Sequence, residues 1–284
     1  MSSSPSFSDV LRLPPGPVDL RSIETDAAPG YDGDKKSGTT DLEAMGDELS
    51  ELQERLFAGK ADGARSVLLL LQGMDTSGKG GTLRHTVGLV DPQGVKITSF
   101  KAPTKEELAH DFLWRIRKGV PGPGIIGVFD RSHYEDVLIA RVRELAPADE
   151  IERRYDAINE FEAELVGAGV TLIKCMLHIS PEEQKARLLA RLDDPTKHWK
   201  YNPGDLAERA RWADYRAAYE IALERNNTEA APWHVVPADK KWYRNLAIGH
   251  LLLETMRRLD PKWPVADFDV EAEKQRLLDE DPIS

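Results

Sequence analysis

The chain has 284 residues, 40% hydrophobic and 31% charged, with a formal charge of −11; it is long enough to bury a core, and its sign disfavours a protein that coats nucleic acid, since that needs a basic face. Its longest aliphatic run, residues 67–71, falls far short of the roughly 20 apolar residues that span a bilayer, and residues 1–5 lack the basic start and apolar stretch of a signal peptide. The single cysteine, Cys175, excludes an internal disulfide and a cysteine-rich metal site and fits a cytoplasmic chain.

Residues 1–40 are rich in Ser, Pro, Gly and Asp without a sustained period, and read as an arm that is disordered or drapes over the domain. From Asp41, a candidate N-cap, Leu42, Met45, Leu49, Leu52 and Leu56 recur at helical spacing. That helix leads into a basic, glycine-containing turn at 59–63. Short apolar runs at 67–71, 95–100, 125–129, 170–179 and 233–236 read as strands. Amphipathic stretches at 79–90, 105–118, 134–143, 151–166, 181–192, 206–225 and 241–259 read as the helices between them. Buried strands alternating with helices predict right-handed βαβ units, hence an α/β domain over 41–260 whose parallel sheet is covered on both faces. Residues 261–284 form an acidic, weakly patterned tail. Cys175, within a strand, reads as inert.

The first strand runs into Gly73-Met-Asp-Thr-Ser-Gly78-Lys79-Gly80-Gly81. Two glycines five apart followed by Lys match the start of a phosphate-binding P-loop. Glycines let backbone N–H groups turn inward around phosphate oxygens, and the following helix N-terminus adds partial positive charge. Lys79 supplies a point charge to the transferring phosphate. The usual next residue is Ser or Thr, whose hydroxyl holds Mg2+, but Gly80 stands there, so Asp75 becomes the candidate ligand. The third strand ends at Asp130-Arg131: a carboxylate placed to hold Mg2+, and a guanidinium fork that can spread over phosphoryl oxygens.

These blocks, together with Arg131-Ser-His-Tyr-Glu-Asp136, His178-Ile-Ser-Pro-Glu-Glu-Gln-Lys185, Asp194-Pro-Thr-Lys-His-Trp-Lys200, Ser99-Phe-Lys-Ala-Pro-Thr104 and Pro237-Ala-Asp-Lys-Lys-Trp-Tyr-Arg244, resemble the polyphosphate kinase 2 family over residues 40–260. The form of the Arg131 block is most similar to the family's third class. The resemblance implies a three-layer, thymidylate-kinase-like P-loop fold with a helical lid at about 181–205. It also implies phosphate transfer between inorganic polyphosphate and nucleoside mono- or diphosphates. Catalytic residues would be Asp75, Lys79, Asp130 and Arg131, with Mg2+ (Mn2+ as a substitute) on Asp75 and Asp130. Gly78, Lys79, Gly80, Gly81 and the lid residues Lys185, Arg187, Arg191, Lys197 and Lys200 would bind polyphosphate. Arg187 and Arg191, four apart, would reach one polyanion from one helix face.

Arg84, Lys101 and His133 are candidate nucleotide contacts, although Arg84 also reads as a surface charge, Lys101 as a loop residue and His133 as a capping or core hydrogen-bonder. Trp212, Tyr215 and Tyr219 follow helical spacing, which favours packing over base stacking. The resemblance further implies a homo-oligomer, with neither nucleic acid nor membrane as partner. The P-loop by itself also admits an ATP-dependent nucleotide or nucleoside kinase, or a non-catalytic phosphate-binding regulator.

Overall fold

A computed structural model describes residues 6–61, 63 and 65–280. The first five residues of the arm, positions 62 and 64 at the basic turn, and the last four of the acidic tail lie outside the described residues.

Every apolar run forms a strand: β1 Ser66–Gln72, β2 Val95–Ser99, β3 Ile126–Asp130, β4 Val170–His178 and β5 Trp233–Pro237. They pair in parallel in the order β2-β3-β1-β4-β5. The helices are α1 Phe7–Leu11, α2 Lys35–Ala44, α3 Gly46–Ala58, α4 Lys79–His85, α5 Leu113–Gly119, α6 Ile139–Val142, α7 Ala148–Gly167, α8 Pro181–Leu192, α9 Asp205–Ala210, α10 Trp212–Arg225, α11 Lys241–Leu259 and α12 Val270–Asp279. Helix α11 packs with α1 to α4 in one layer, and α6 with α7 and α10 in the other. Central β1 is therefore buried along its whole length, which is why its sequence is continuously aliphatic rather than alternating. Edge strand β2 is mostly open, with Ile97 exposed. No helix among the described residues is long and apolar enough to cross a membrane. Cys175 is buried in β4, and burial pushes its thiol pKa up.

The helices depart from the sequence-based boundaries for local reasons. The first long helix is two: α2 starts seven residues before the expected Asp41, on an Asp34–Ser37 capping box, and α3 follows at Gly46. Asp41 instead accepts a hydrogen bond from Tyr31 Oη at 2.6 Å. Within 105–118 only α5 is α-helical, since Thr104 and Glu107 bond each other's backbone and Asp111 caps Leu113, competing with the helix ladder. Stretch 206–225 breaks at Arg211 into α9 and α10. The tail carries α12, capped by Asp269 and exposed throughout.

The arm drapes over the domain. Phe7, Leu11, Leu13 and Leu20 are buried, and Glu254 on α11 accepts from the N–H groups of Phe7 and Ser8 at 2.9 Å each. His178 Nε2 lies 2.9 Å from the Leu20 carbonyl, and Thr25 Oγ1 donates to Asp239 at 2.7 Å. Leu20→Ala should therefore destabilise the chain by about 2–4 kcal/mol in urea unfolding. A loss below ~0.5 kcal/mol, the surface value, would mean that the arm is not part of the core.

Candidate functional site

The carboxyl ends of β1 and β3 lie side by side, with Leu71 opposite Asp130 in the register. Ligands of open parallel sheets bind at such strand ends. Beyond β1 the chain turns through Gly73 (φ +149°) and Gly78 (φ +112°) before α4 begins at Lys79. Gly78 is required twice over: its backbone is left-handed, and a Cβ there would come 1.7 Å from Arg244 Nη1.

Two buried guanidinium groups hold this loop from behind. Arg187 of α8 donates from Nη1 to the carbonyls of Thr76 (2.9 Å) and Ser77 (3.0 Å), and from Nη2 to those of Ala238 (2.6 Å) and Asp239 (3.0 Å). Arg244 of α11 donates to the Ser77 carbonyl at 3.3 Å. Burial, with the charge of Arg187 beside it, pushes the Arg244 pKa down to about 9. Tyr219 Oη accepts from Gly73 N–H at 3.1 Å, and Gln184 donates to the Asp75 carbonyl at 3.1 Å.

Lys79 Nζ donates to the Gly73 carbonyl at 2.9 Å. Burial lowers its pKa and Arg131 acts in the same direction, while Asp75 and Asp130 oppose them. At the end of β3, Arg131 stands at φ +64°, a conformation that costs a non-glycine residue on the order of 1 kcal/mol. Its N–H donates to the Leu71 carbonyl at 3.1 Å, and its Nη2 to Asp75 Oδ1 at 3.1 Å. Asp75, Lys79, Asp130 and Arg131, drawn from two separate sequence blocks, are thus brought to one place.

Asp75 and Asp130 line the same groove and offer hard oxygen donors. Among the described residues no three His, Cys, Asp or Glu side chains gather into an all-protein metal cage. Two carboxylates suit Mg2+, which keeps waters and completes its shell with substrate phosphates. The donor set fits that ion.

Two cavities of unlike chemistry meet here. The larger, about 760 Å3, is lined by residues 78–81 with Arg84, Lys101, Asp130, Arg191 and Lys200, and also by Phe100 and Trp199. The smaller, about 300 Å3, is lined by Leu138, Ile139, Trp212 and Tyr215, with Glu135, Arg143 and Glu208. Asp75, Arg131, Asn202 and Asp205 line both. Burial raises the Glu135 carboxyl pKa against the pull of Arg131 and Lys79.

The segment expected to form a lid spans α8, a 3-10 turn at Pro195–Lys200, and α9. Arg191 and Lys200 face the basic groove, where Arg191 Nη1 donates to the Lys200 carbonyl at 2.9 Å and lies 3.7 Å from Asp205. Arg187 corrects the expectation of a polyanion contact: it shares a helix face with Arg191, but one turn earlier its fork is spent on four backbone carbonyls. Lys185 is exposed outside both cavities, and Lys197 is exposed and paired with Asp194 at 2.7 Å, so neither lines the groove.

His133 is corrected too. It is fully buried behind the strand end, its Nε2 3.2 Å from Glu162 Oε1, and touches neither cavity. Arg84 and Lys101 line the basic groove, apart from the aromatic one. Tyr219 is buried, and it lines the smaller cavity together with Trp212 and Tyr215. Sequence reasoning missed Arg244, Glu135 and that cavity as a site, although Arg244 and Glu135 lie inside blocks that carried the family resemblance.

The sequence model of polyphosphate kinase 2 matches residues 32–264. An AMP/ADP-polyphosphate phosphotransferase from Meiothermus ruber is 44% identical over 251 residues, covering 88% of this chain and 93% of the relative. An ADP-polyphosphate phosphotransferase from Rhodopseudomonas palustris is 40% identical over 259 residues, covering 87% and 88%. The crystal structure of polyphosphate kinase 2 from Arthrobacter aurescens TC1 superposes with a TM-score of 0.94 at 56% identity, covering 97% of this chain and 98% of that one. A phosphate loop meeting an Asp-Arg strand end, in a chain matched along most of its length, places this protein in the polyphosphate kinase 2 family.

Proposed function

We propose that this chain transfers phosphate reversibly between inorganic polyphosphate and nucleoside mono- and diphosphates, taking AMP to ADP and ADP to ATP. One observation carries the reading: a basic groove and an aromatic cavity meet at Asp75 and Arg131. The basic groove suits a linear polyanion that has no base to recognise. The aromatic cavity offers Trp212 and Tyr215 faces and the Leu138 and Ile139 side chains to a nucleobase. On this reading Arg84 and Lys101 serve the polyanion and not the nucleotide.

In the forward direction the terminal phosphate oxygen of the nucleotide attacks the terminal phosphorus of polyphosphate. The P–O bond to the rest of the chain breaks, and polyphosphate leaves one phosphate shorter. Arg131, already aimed at the junction, spreads its fork over the transferring oxygens, and Lys79 exchanges the Gly73 carbonyl for phosphate. Asp75 and Asp130 would hold Mg2+, with Mn2+ as a substitute, and the ion would supply neutralisation of the phosphate charge. Closure of the lid excludes water and favours transfer over hydrolysis. His133 is enclosed in the core, which supports direct in-line transfer over a phosphohistidine at that residue.

Polyphosphate, AMP and Mg2+ should yield ADP with the wild-type chain, and Asp75→Asn or Asp130→Asn should cut kcat about 10²-fold while circular dichroism stays unchanged and the Mg2+ requirement shifts. ADP formation no faster than with Lys79→Ala would sink the reading, as would strict dependence on ATP as donor.

The assignment of the two cavities predicts a crossed pattern. Tyr215→Ala should raise KM for AMP about tenfold and leave KM for polyphosphate alone, and Arg191→Ala should do the reverse. Equal shifts in both constants from either variant would contradict it.

A homo-oligomer is the accompanying expectation, supported by Leu277 and Leu278 of α12, which are 69% and 72% exposed. Light scattering should give a multiple of 31.7 kDa; a monomer at micromolar concentration would rule it out. The single cysteine, Cys175, buried and free, supports a cytoplasmic location.

A further inference from the structure

Arg131 is held in a left-handed conformation with its guanidinium already on Asp75. Such a backbone persists only when the surroundings over-determine it. The residues that follow show what does so. Ser132 Oγ, fully buried, accepts from Gln72 Nε2 at 3.0 Å and from Tyr134 N–H at 3.2 Å. Tyr134 Oη donates to Glu162 Oε1 at 2.8 Å, and His133 Nε2 lies 3.2 Å from the same oxygen. Lys174 Nζ, in the middle of β4, donates to Glu162 Oε2 (2.7 Å), Tyr134 Oη (3.0 Å) and the Asn226 carbonyl (2.7 Å).

The ammonium and carboxylate of this pair are 0% and 1% exposed. A buried ion pair is a weak source of stability, because desolvation offsets its attraction, and apolar residues of similar size often serve a core as well. The Lys174–Glu162 pair does something apolar residues could not. All three protons of Lys174 are used, both oxygens of Glu162 are used, and the bonds to His133 and Tyr134 end on the turn immediately after Arg131.

We propose that Glu162 and Lys174 are positioning residues for phosphoryl transfer. From behind the sheet they lock Ser132–Tyr134, so that Arg131 is delivered to the junction of the two cavities before substrate arrives. The proposal rests on the reading that Arg131 stabilises the transferring phosphate, and its test separates the two.

Tyr134→Phe and Glu162→Gln are each made alone and in an Arg131→Lys background. Alone, each should lower kcat about tenfold or more, with KM for AMP and for polyphosphate within about twofold of wild type. In the Arg131→Lys enzyme the same changes should cost less than about twofold, because the group they position is gone. Lys174→Met with Glu162→Leu, an apolar exchange, controls for folding: it should keep the wild-type melting temperature within a few degrees and still lose kcat. Full kcat in that folded double variant overturns the proposal. Equal fold losses in both backgrounds, with Arg131→Lys itself slow, overturn the proposal alone. An Arg131→Lys enzyme as fast as wild type overturns the reading of Arg131, and the proposal falls with it.

Discussion

The parallel pairing of β1 with β3 decides where the charges of Asp75, Lys79, Asp130 and Arg131 fall. With Leu71 opposite Asp130, the loop after β1 and the turn after β3 leave the sheet at the same height, and the Arg131 N–H bonds the Leu71 carbonyl across that boundary. Parallel neighbours need a long crossover, so Asp75 and Arg131 are 56 residues apart in the chain and yet 3.1 Å apart in space. Without that register neither the carboxylate pair nor the arginine would face the phosphate loop.

Around this boundary the protein spends arginine in two ways. Arg187 and Arg244 are buried beneath the loop, where their guanidinium groups hold its Thr76 and Ser77 carbonyls from behind. Arg131 and Arg191 stand in the cavities, each resting against a carboxylate, Asp75 or Asp205, that a phosphate group can replace. The chain's charge of −11 is compatible with this arrangement. On the proposed assignment, acids elsewhere would repel polyphosphate, and the groove where Lys79, Arg84, Lys101, Arg191 and Lys200 converge would focus it on the loop.

The sheet was legible in the sequence because a strand buried on both faces must be continuously apolar, as residues 67–71 are. The meeting of Asp75, Lys79, Asp130 and Arg131 was legible because a glycine-rich loop ending on Lys and a strand ending on Asp-Arg each stand out in the sequence. Helix boundaries were less so: Asp34 caps α2 inside a polar stretch with no apolar period, and Thr104 and Asp111 break a stretch that its hydrophobic pattern joins. Periodicity also put Arg187 and Arg191 on one face and gave them one role. It carried no information on the carbonyls of residues 76, 77, 238 and 239, which converge on Arg187 only in the folded chain. For His133 the nucleotide-contact reading failed and the core hydrogen-bonding alternative held, although its partner Glu162, 29 residues away on another element, was not visible from sequence. The aromatic cavity is assembled from α6, α9 and α10, and no single window of sequence displays it.

The central claim is that donor and acceptor occupy different cavities that meet at Asp75 and Arg131. The most direct measurement is a crystal structure of the Asp130→Asn enzyme grown with AMP, Mg2+ and a short polyphosphate. The account predicts adenine density against Trp212 and Tyr215, phosphate-chain density along Lys79, Arg84, Lys101 and Arg191, and Arg131 between the two terminal phosphates. Adenine density in the basic groove, or a phosphate chain in the aromatic cavity, would contradict it.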